Sequence, residues 1–163
     1  MKKIYIIGIV ASGKTTLARK LSRQLNIPWY QLDRIVHPVG MPKRSPEEQV
    51  EVIHDIDWSG QWIFEGTDRP SYRCLLEMAD TIVVLDPPLW KRRIRIFTRF
   101  LKQRLGIEEC NYKPTLKMLR LMYKWTRDFE ETRADFEERL EPFISKVIRV
   151  TDSRTLKLWR TIL

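Results

Sequence analysis

Short apolar runs alternate with amphipathic stretches along the whole chain. KKIYIIG, at residues 2–8, is a run of β-branched and aromatic residues that ends at a glycine, which is typical of a strand. TTLARKLSRQL follows, and its Leu17, Leu21 and Leu25 recur every four residues, which places them on one face of a helix. The first 25 residues are therefore predicted to form a strand, a loop and a helix.

The same alternation continues through the rest of the chain. Apolar runs bounded by Gly, Pro or Asp predict four more strands, at IPWYQL ending at Asp33, QWIFEG closed by Gly66, DTIVVLD, and KVIRVT. Helices are predicted at PEEQVEVIHDI opening at Pro46 behind a Ser45 cap, PSYRCLLEMA, a long basic stretch after Pro87 and Pro88, a second long stretch from Pro114 to about Leu140, and SRTLKLWRTIL. The basic helix is expected to break near Gly106, and residues 100–112 are compatible with a helix, a loop or a mobile insert.

This regular alternation of strands and helices predicts an α/β fold. Strands that are separated by helices form a mostly parallel sheet with helices on both faces. DTIVVLD is a continuous apolar run, which is typical of a strand buried on both sides of such a sheet. The chain has 163 residues, the size of one domain, so we expect a single domain over residues 1–163.

Composition narrows the class of protein further. No apolar run approaches the roughly 18 residues that span a bilayer, and KKIYIIGIV is too short for a signal peptide, so a cytoplasmic protein without a membrane segment is expected. Cys74 and Cys110 match no metal or redox spacing, and we expect two free thiols. His37 and His54 have no ligand-spaced partners, which argues against a metal site formed by them.

The positive charge is concentrated in one segment. The net charge is +9, and residues 90–127 contain twelve Lys or Arg against only Glu108 and Glu109. Such a segment faces an anion, either the phosphates of a nucleotide or the backbone of a polynucleotide, unless it is a solvated helical face. Aromatic residues punctuate it, and we expect them to pack the helices together, although they could also stack on bases.

The loop between the first strand and helix carries a phosphate-binding pattern. GIVASGKT, residues 8–15, fits G-x-x-x-x-G-K-[ST] and is here named the glycine loop. Glycines allow backbone N–H groups to surround an anion at the positive end of a helix. Lys14 is expected to reach the β and γ phosphates, and Thr15 to offer its hydroxyl to Mg²⁺. Other residues of the pattern and its helix are expected to contact the nucleotide: Gly8, Ala11, Ser12, Gly13 and Thr16.

With the glycine loop, FEGTDR and the basic run after DPP, the chain resembles the adenylate-kinase-like branch of P-loop kinases. Within that branch it is most similar to the small DNA topology modulation proteins of the FlaR type. The resemblance covers nearly the whole chain. It implies a three-layer sandwich around a five-stranded parallel sheet of order 2-3-1-4-5, with ATP and Mg²⁺ as cofactors and a lid that carries arginines. The lid is expected at about residues 92–127 and should be short and helical, because no β-rich insert lies there.

The resemblance also implies residues for the metal and the acceptor. In nucleoside monophosphate kinases an Asp-Gly-x-x-Arg motif ends the third strand, where the acid assists Mg²⁺ and the arginine binds the acceptor phosphate. Glu65, Gly66 and Arg69 match it, with Glu in place of Asp. Asp33 follows the second strand, where related kinases bind the acceptor or take its hydroxyl proton, although it could also cap the turn. Arg34 is a weaker candidate for acceptor binding.

Arginines of the lid are assigned by the same resemblance. Adenylate kinases place two arginines four residues apart on the first lid helix, and Arg95 and Arg99 match them, with Arg92 beside them at i−3. A lid of guanidinium groups over the γ-phosphate is a plausible catalytic device. TDSR, at residues 151–154, lies where this fold usually borders the adenine.

WTRDFEETR resembles the second helix that flanks the lid. Its Arg127 is the better match to a phosphate-binding arginine and Arg133 the next, but Arg127 could instead pair with Glu131 on the surface.

Two functions are compatible with these residues. The first is a kinase that transfers the γ-phosphoryl group of ATP to a nucleotide or another small molecule. The second is a nucleotide-responsive, DNA-associated regulator with little kinase activity, in which the basic segment binds the phosphate backbone. The chain contains no recognisable DNA-reading motif, so the kinase is the favoured interpretation.

Overall fold

The computed structural model describes residues 2–107 and 114–151. Four predictions lie wholly or partly outside the described residues: the last helix at 153–163, the adenine contacts at 151–154, the free thiol of Cys110, and the end of the segment at 100–112. Cys74 is a free thiol, as predicted. No helix within the described ranges is long and apolar enough to cross a membrane.

The five predicted strands form one parallel sheet of order β2-β3-β1-β4-β5, which confirms the predicted topology. They span Lys3–Gly8 (β1), Trp29–Gln31 (β2), Trp62–Gly66 (β3), Thr81–Leu85 (β4) and Val147–Val150 (β5). The register aligns Ile7 with both Gly66 and Val84, so the carboxyl ends of the three central strands lie at one edge. That edge is where open parallel sheets bind their ligands.

Seven helices lie within the described residues. They span Lys14–Leu25 (α1), Leu32–Val36 (α2), Pro46–Asp57 (α3), Cys74–Met78 (α4), Leu89–Arg104 (α5), Leu116–Glu131 (α6) and Arg133–Leu140 (α7), with 3₁₀ turns at Pro70–Tyr72 and Glu141–Lys146. The predicted start of α3 is confirmed by a capping box. Glu48 N–H donates to Ser45 Oγ at 3.2 Å, and Ser45 N–H donates to the Glu48 carboxylate at 2.7 Å.

Apolar side chains form two clusters, one on each face of the sheet. Alternate residues of β3 show the division, because Trp62 and Phe64 point to one cluster and Ile63 points to the other. Helices α2, α4 and α7 contribute to the first cluster, and α1 covers the second. These layers of helix, sheet and helix are the predicted three-layer sandwich.

The second strand is shorter than predicted, and the prediction that it runs to Asp33 is wrong. β2 ends at Gln31, and α2 begins at Leu32. Leu32 is completely buried, and its side chain packs into the space beside Gly66 that a Cβ there would occupy. Burial of this one leucine turns the chain into a helix, so Asp33 lies in the first helical turn instead of at a strand end.

The second long helix is also different from the prediction, because it consists of two helices. α6 begins at Leu116 instead of Pro114, and Thr115 caps its start by accepting a hydrogen bond from Met118 N–H at 3.2 Å. At Thr132 the hydroxyl and the N–H both donate to the carbonyl of Asp128, at 3.0 Å each. A threonine that bonds back to this carbonyl weakens the regular helix, which ends at Glu131 and restarts at Arg133.

Candidate functional site

The glycine loop connects β1 to α1 at the carboxyl edge of the sheet. Ala11 and Gly13 have φ values of 59° and 102°, in the left-handed region, and Gly13 caps the start of α1. Alternation of left-handed and ordinary backbone turns successive N–H groups toward one centre, which makes an anion-binding concavity. The positive end of α1 points into the same place. The positive φ of Ala11 was not foreseen from the sequence.

Close packing explains the first glycine of the loop. A Cβ on Gly8 would lie 2.5 Å from Ser12 Oγ and 2.8 Å from the carbonyl oxygen of Leu85. Any larger residue would push the loop away from β4. The two glycines therefore serve different purposes, because Gly8 allows close approach and Gly13 allows the left-handed turn.

Lys14 lies inside the curve of the loop. Its Nζ donates to the carbonyl of Ile9 at 3.0 Å, across the opening of the loop. The pKa of Lys14 is lowered, mainly by burial. The carboxylates of Glu65 and Asp33 oppose this shift, and the guanidinium of Arg99 adds to it. A bound phosphate would supply the missing negative charge, so the lysine is poised to gain stability from an anion.

Thr15 and Glu65 meet directly below the loop. The hydroxyl of Thr15 donates to Glu65 Oε1 at 2.7 Å, and Gln31 Nε2 donates to the same oxygen at 3.0 Å. Glu65 is only 4% exposed, and the register places it beside Ile6 of β1. The longer side chain of Glu, compared with Asp, reaches the threonine hydroxyl. The sequence missed Gln31, although its position beside Glu65 follows from the sheet order.

The side-chain oxygens of Thr15 and Glu65 are of the kind that a magnesium site uses. The described residues contain no group of three or more His, Cys, Asp or Glu that could hold a metal by itself. Mg²⁺ does not need such a group, since it commonly takes one or two protein oxygens and completes its shell with phosphate oxygens and water. Thr15 and Glu65 supply oxygens of that kind beside the concavity.

Arg95 covers the loop from above. Its Nη1 donates to the carbonyl of Ser12 at 3.1 Å and lies 3.5 Å from the carbonyl of Ala11. Arg99, one turn later on α5, is close enough to Lys14 to lower its pKa. The i, i+4 spacing therefore puts Arg99 on the same side of α5 as Arg95, which contacts the glycine loop.

Arg92 and Arg133 are occupied by carboxylates. Arg92 is 1% exposed and forms an ion pair with Glu130, so it packs between α5 and α6 instead of beside the lid arginines. Arg133 donates to both oxygens of Asp86, at 2.6 and 3.1 Å, and to Glu130. These bonds with Asp86 and Glu130 raise the pKa of Arg133 above its usual value. The role of Arg133 in substrate binding stays a prediction.

The remaining predicted arginine of the lid, Arg127, lies on the surface. It is 66% exposed and lies 3.7 Å from Glu131, which is the surface pair that the sequence left open as an alternative. Arg127 also lines an open basic cleft with Arg93, Arg120 and Lys124.

The predicted acceptor residues Asp33 and Arg69 lie together. Arg69 Nη2 is 3.4 Å from Asp33 Oδ1, and both side chains are exposed at the carboxyl ends of β2 and β3. Gln31, not Asp33, is the N-cap residue of α2, and Asp33 lies in the first turn of this helix. Arg34 is exposed on the same short helix.

A cavity of about 120 Å³ lies between the glycine loop and α7. Gly8 and Thr67 line one side, and Asp68, Asp86 and Arg139 bring charge to it. Arg139 donates to Asp68 at 2.7 Å, so this pair is already neutralised. Neither acid was predicted from the sequence as a site residue, although each follows the end of a strand. Position at a strand's carboxyl end is the signal that could have found them.

Comparison with known proteins gives short matches in sequence. No family model matches the chain. The chain is 53% identical over 34 residues to a shikimate kinase of Aquifex aeolicus (strain VF5), covering 21% of this chain and 20% of that protein. It is 40% identical over 42 residues to a shikimate kinase of Dechloromonas aromatica (strain RCB), covering 25% and 23%. The chain thus spans about a fifth of the length of the curated relatives that it matches.

The similarity in structure extends over the whole chain. A shikimate kinase from Acinetobacter baumannii, solved with shikimate, superposes with a TM-score of 0.61 over 99% of this chain and 90% of that one, at 16% identity. The chain has the P-loop kinase fold. A gluconokinase from Sinorhizobium meliloti 1021 superposes with a TM-score of 0.53 over 93% and 83%, also at 16% identity. The predicted fold class is confirmed, and the resemblance to topology modulation proteins stays a prediction.

Proposed function

We propose that this protein is a kinase that transfers the γ-phosphoryl group of ATP to a small molecule. The observation that carries this proposal is the bond from Thr15 to Glu65 at 2.7 Å, which places two magnesium-type oxygens under a phosphate-binding loop. A glycine turn that only connected a strand to a helix would require neither a buried acid nor a lysine beneath it.

Residues of the chain divide the work of phosphoryl transfer. Backbone N–H groups of the glycine loop and the Lys14 ammonium hold the phosphates. Thr15 and Glu65 would hold Mg²⁺, which when bound neutralises charge on the phosphate oxygens. Phosphoryl transfer depends on position and charge stabilisation more than on covalent chemistry. The loop, Lys14, Thr15 and Glu65 therefore serve to position the phosphates or to stabilise their charge.

Arg95 and Arg99 are proposed to stabilise the charge that develops on the transferred group. In the structure Arg95 bonds to loop carbonyls, which are weak partners compared with phosphate oxygens. Its guanidinium is thus held within reach of the loop and is free to exchange these carbonyls for a phosphate.

The acceptor is proposed to bind beside Asp33 and Arg69. Asp33 is an exposed acid that could take the proton of an acceptor hydroxyl, and Arg69 could pair with an anionic group of the acceptor. Shikimate kinase and gluconokinase, the names of the neighbours in structure, are those of small-molecule kinases. The proposed acceptor class therefore includes hydroxylated metabolites as well as nucleotides.

The proposal is tested by incubating the pure protein with Mg²⁺, ATP and a panel of nucleotides, nucleosides and hydroxylated metabolites. We expect a phosphorylated product from at least one acceptor, and loss of that product in Lys14→Met. An Asp33→Asn variant should retain ATP binding and lose transfer. If no acceptor is phosphorylated while ATP still binds, the kinase proposal is rejected.

The alternative of a DNA-associated regulator is not favoured by any specific observation. Several basic side chains of this segment already have partners within the protein. Arg92 forms an ion pair with Glu130, Lys124 forms one with Asp128, and Arg95 donates a hydrogen bond to the glycine loop. We therefore do not propose DNA binding.

A further inference from the structure

One face of α5 exposes a row of large apolar side chains. Trp90, Ile94, Phe97, Leu101 and Leu105 are between 42% and 72% exposed, and they are here named the apolar stripe. Four of them lie on α5, and Leu105 caps its carboxyl end. Single exposed apolar residues are normal on protein surfaces, but a contiguous row of this kind marks an interaction site. The proposed kinase function does not use this face.

Helical geometry explains why the stripe is continuous. At about 100° per residue, the five positions fall within an arc of about 80° on the helix. The opposite side of α5 holds the buried residues Arg92, Ile96, Phe100 and Gln103, which attach the helix to the rest of the protein. The stripe therefore points away from the body of the molecule.

Positive charge borders the stripe on both sides. α5 contains seven Lys or Arg residues and no Asp or Glu. On the helical wheel Arg93 and Arg104 fall on one border of the stripe, and Lys91 and Lys102 on the other. Long basic side chains at the edge of an apolar face can keep their charges among anionic headgroups while their stems lie against apolar surface.

We propose that the apolar stripe of α5 docks on an anionic phospholipid surface. A basic amphipathic helix is suited to lie in the plane of such a surface, with its apolar face in the boundary between headgroups and acyl chains. A second copy of this chain fits poorly, because it would bring a second helix of seven bases against the first. Like charges across an interface oppose association.

An acidic protein partner fits less well than a lipid surface for a geometric reason. A partner that takes a basic amphipathic helix encloses it in a groove. Here Ile96 and Phe100 fix the far side of α5 to the protein, and Arg95 touches the glycine loop, so a groove cannot enclose the helix. A membrane surface needs only the outward face.

The expectation of a protein without a membrane segment rests on the length of its apolar runs. That length tests only whether a helix can cross a bilayer, and no helix in the described part of the chain can do so. Docking on the surface requires no such length. The inference does not depend on the proposed kinase function, since it uses a different face of α5.

Sedimentation with lipid vesicles tests the proposal. Full-length protein is mixed with phosphatidylcholine vesicles that contain about one third phosphatidylglycerol, or with pure phosphatidylcholine vesicles, at low salt. We expect at least about tenfold more bound protein on the anionic vesicles and a steep loss of binding as salt is raised. No excess on anionic vesicles at low salt would overturn the proposal.

A pair of variants tests the stripe itself. The double variant Phe97→Ser/Leu101→Ser should reduce vesicle affinity by about tenfold or more, because two of its apolar anchors are removed. The matched control Val39→Ser/Trp58→Ser removes two exposed apolar residues from elsewhere and should bind as the unmodified protein does. Circular dichroism confirms that each variant is folded. Equal binding of the two double variants contradicts the proposal.

A second pair tests the charges. Arg93→Gln/Lys102→Gln should lower affinity for anionic vesicles by roughly fivefold for each base removed. Lys20→Gln/Lys43→Gln removes the same charge from exposed positions outside α5 and should have a much smaller effect. A similar loss in both variants would show that net charge alone causes binding, which overturns a site on α5. The proposal would also be overturned if the unmodified protein did not bind vesicles but formed a dimer that Phe97→Ser/Leu101→Ser abolished. That result would assign the stripe to contact with a second copy of the chain.

Discussion

The hydroxyl of Thr15 donates a hydrogen bond to Oε1 of Glu65 at 2.7 Å, across 50 residues of sequence. The bond exists because β1 and β3 are neighbours in the sheet, so the end of β3 lies beneath the start of α1. It joins the loop that would hold phosphates to the acid that would assist Mg²⁺. The proposed chemistry depends on this one contact more than on any other.

Replacement of Glu65 by Gln is expected to weaken the use of magnesium. Gln keeps the length of the side chain and can still accept from Thr15, but it lacks the charge that attracts the ion and its water. Loss of a residue that orients metal ligands typically costs about 10-fold to 100-fold in metal affinity or activity. We therefore expect phosphoryl transfer to need about 10-fold to 100-fold more Mg²⁺.

Transfer rates measured over a range of Mg²⁺ concentrations check this prediction. Glu77→Gln makes the same chemical change at an exposed position of α4 and should leave the magnesium dependence unaltered. An unchanged magnesium dependence in Glu65→Gln would remove Glu65 from the metal site.

Replacement of Arg95 by Lys is expected to slow transfer with little effect on ATP binding. Arg95 reaches the carbonyls of Ala11 and Ser12 through one guanidinium nitrogen, Nη1. The other N–H groups of its planar fork can then pair with phosphate oxygens, and lysine has no such fork. Loss of one donor that stabilises developing charge typically lowers kcat by about 10²-fold to 10³-fold. Steady-state kinetics, together with calorimetry of ATP binding, separate the two effects.

Arg93→Lys provides the matched control, because Arg93 lies two residues earlier on α5 and is exposed. Its kcat should stay within a few-fold of the unmodified protein. If both variants lose activity equally, the position of Arg95 over the loop has no special role.

Local patterns explain why much of the site could be predicted from the sequence. Gly8, Gly13, Lys14 and Thr15 fall within eight residues, so their spacing alone places them on one loop. Glu65 ends an apolar run, and parallel strands end at a common edge. The strand order also agreed with the resemblance, and all of these features depend on short-range periodicity or on general rules of sheets.

Features that depend on a distant partner could not be predicted in this way. Leu32 leaves the extended conformation because it packs against Gly66, which lies 34 residues later. The position of Arg92 in the sequence gave no sign that it would form an ion pair with Glu130. Likewise, nothing in the sequence indicated that Arg133 would form an ion pair with Asp86. Each case is a tertiary contact between charged or apolar groups far apart in sequence.

The contact between Gly66 and Leu32 leads to a prediction about stability. A Cβ on residue 66 would lie 2.7 Å from Leu32 Cδ1 and 2.9 Å from its Cβ, and Leu32 has no space to retreat because it is fully buried. Overpacking of this kind typically costs about 1–3 kcal/mol. Gly66→Ala is therefore expected to lower the free energy of unfolding by that amount, as measured with urea.

Leu32→Ala distinguishes this overpacking from a simple backbone effect. It removes Cδ1 and Cγ of Leu32, two of the three side-chain atoms that the new Cβ would meet, and keeps Leu32 Cβ. The double variant should therefore lose less stability than the two single variants together, by about 0.5–3 kcal/mol. Strict additivity would show that the cost of Gly66→Ala does not come from the outer atoms of Leu32.

The ion pairs of Glu130 predict how stability depends on pH. Burial would raise the pKa of Glu130, but hydrogen bonds from Arg133 and Arg92 hold it below the ordinary value of 4.5. A carboxylate whose pKa is lower in the folded state adds stability above its unfolded pKa and loses it as the pH falls through the folded pKa. The free energy of unfolding should therefore fall between about pH 5 and pH 3, and Glu130→Gln should flatten that fall.

Near pH 7 the same variant should be less stable by about 1–3 kcal/mol, because Arg92 is left buried without its charged partner. Glu131→Gln changes the next residue, whose exposed side chain lies 3.7 Å from Arg127, and a surface pair of this kind contributes little. Urea unfolding at pH 7, 5 and 3.5 compares the three proteins. Because both variants lose one carboxylate, parallel curves for Glu130→Gln and Glu131→Gln would mean that the partly buried ion pairs at Glu130 do not cause the acid sensitivity.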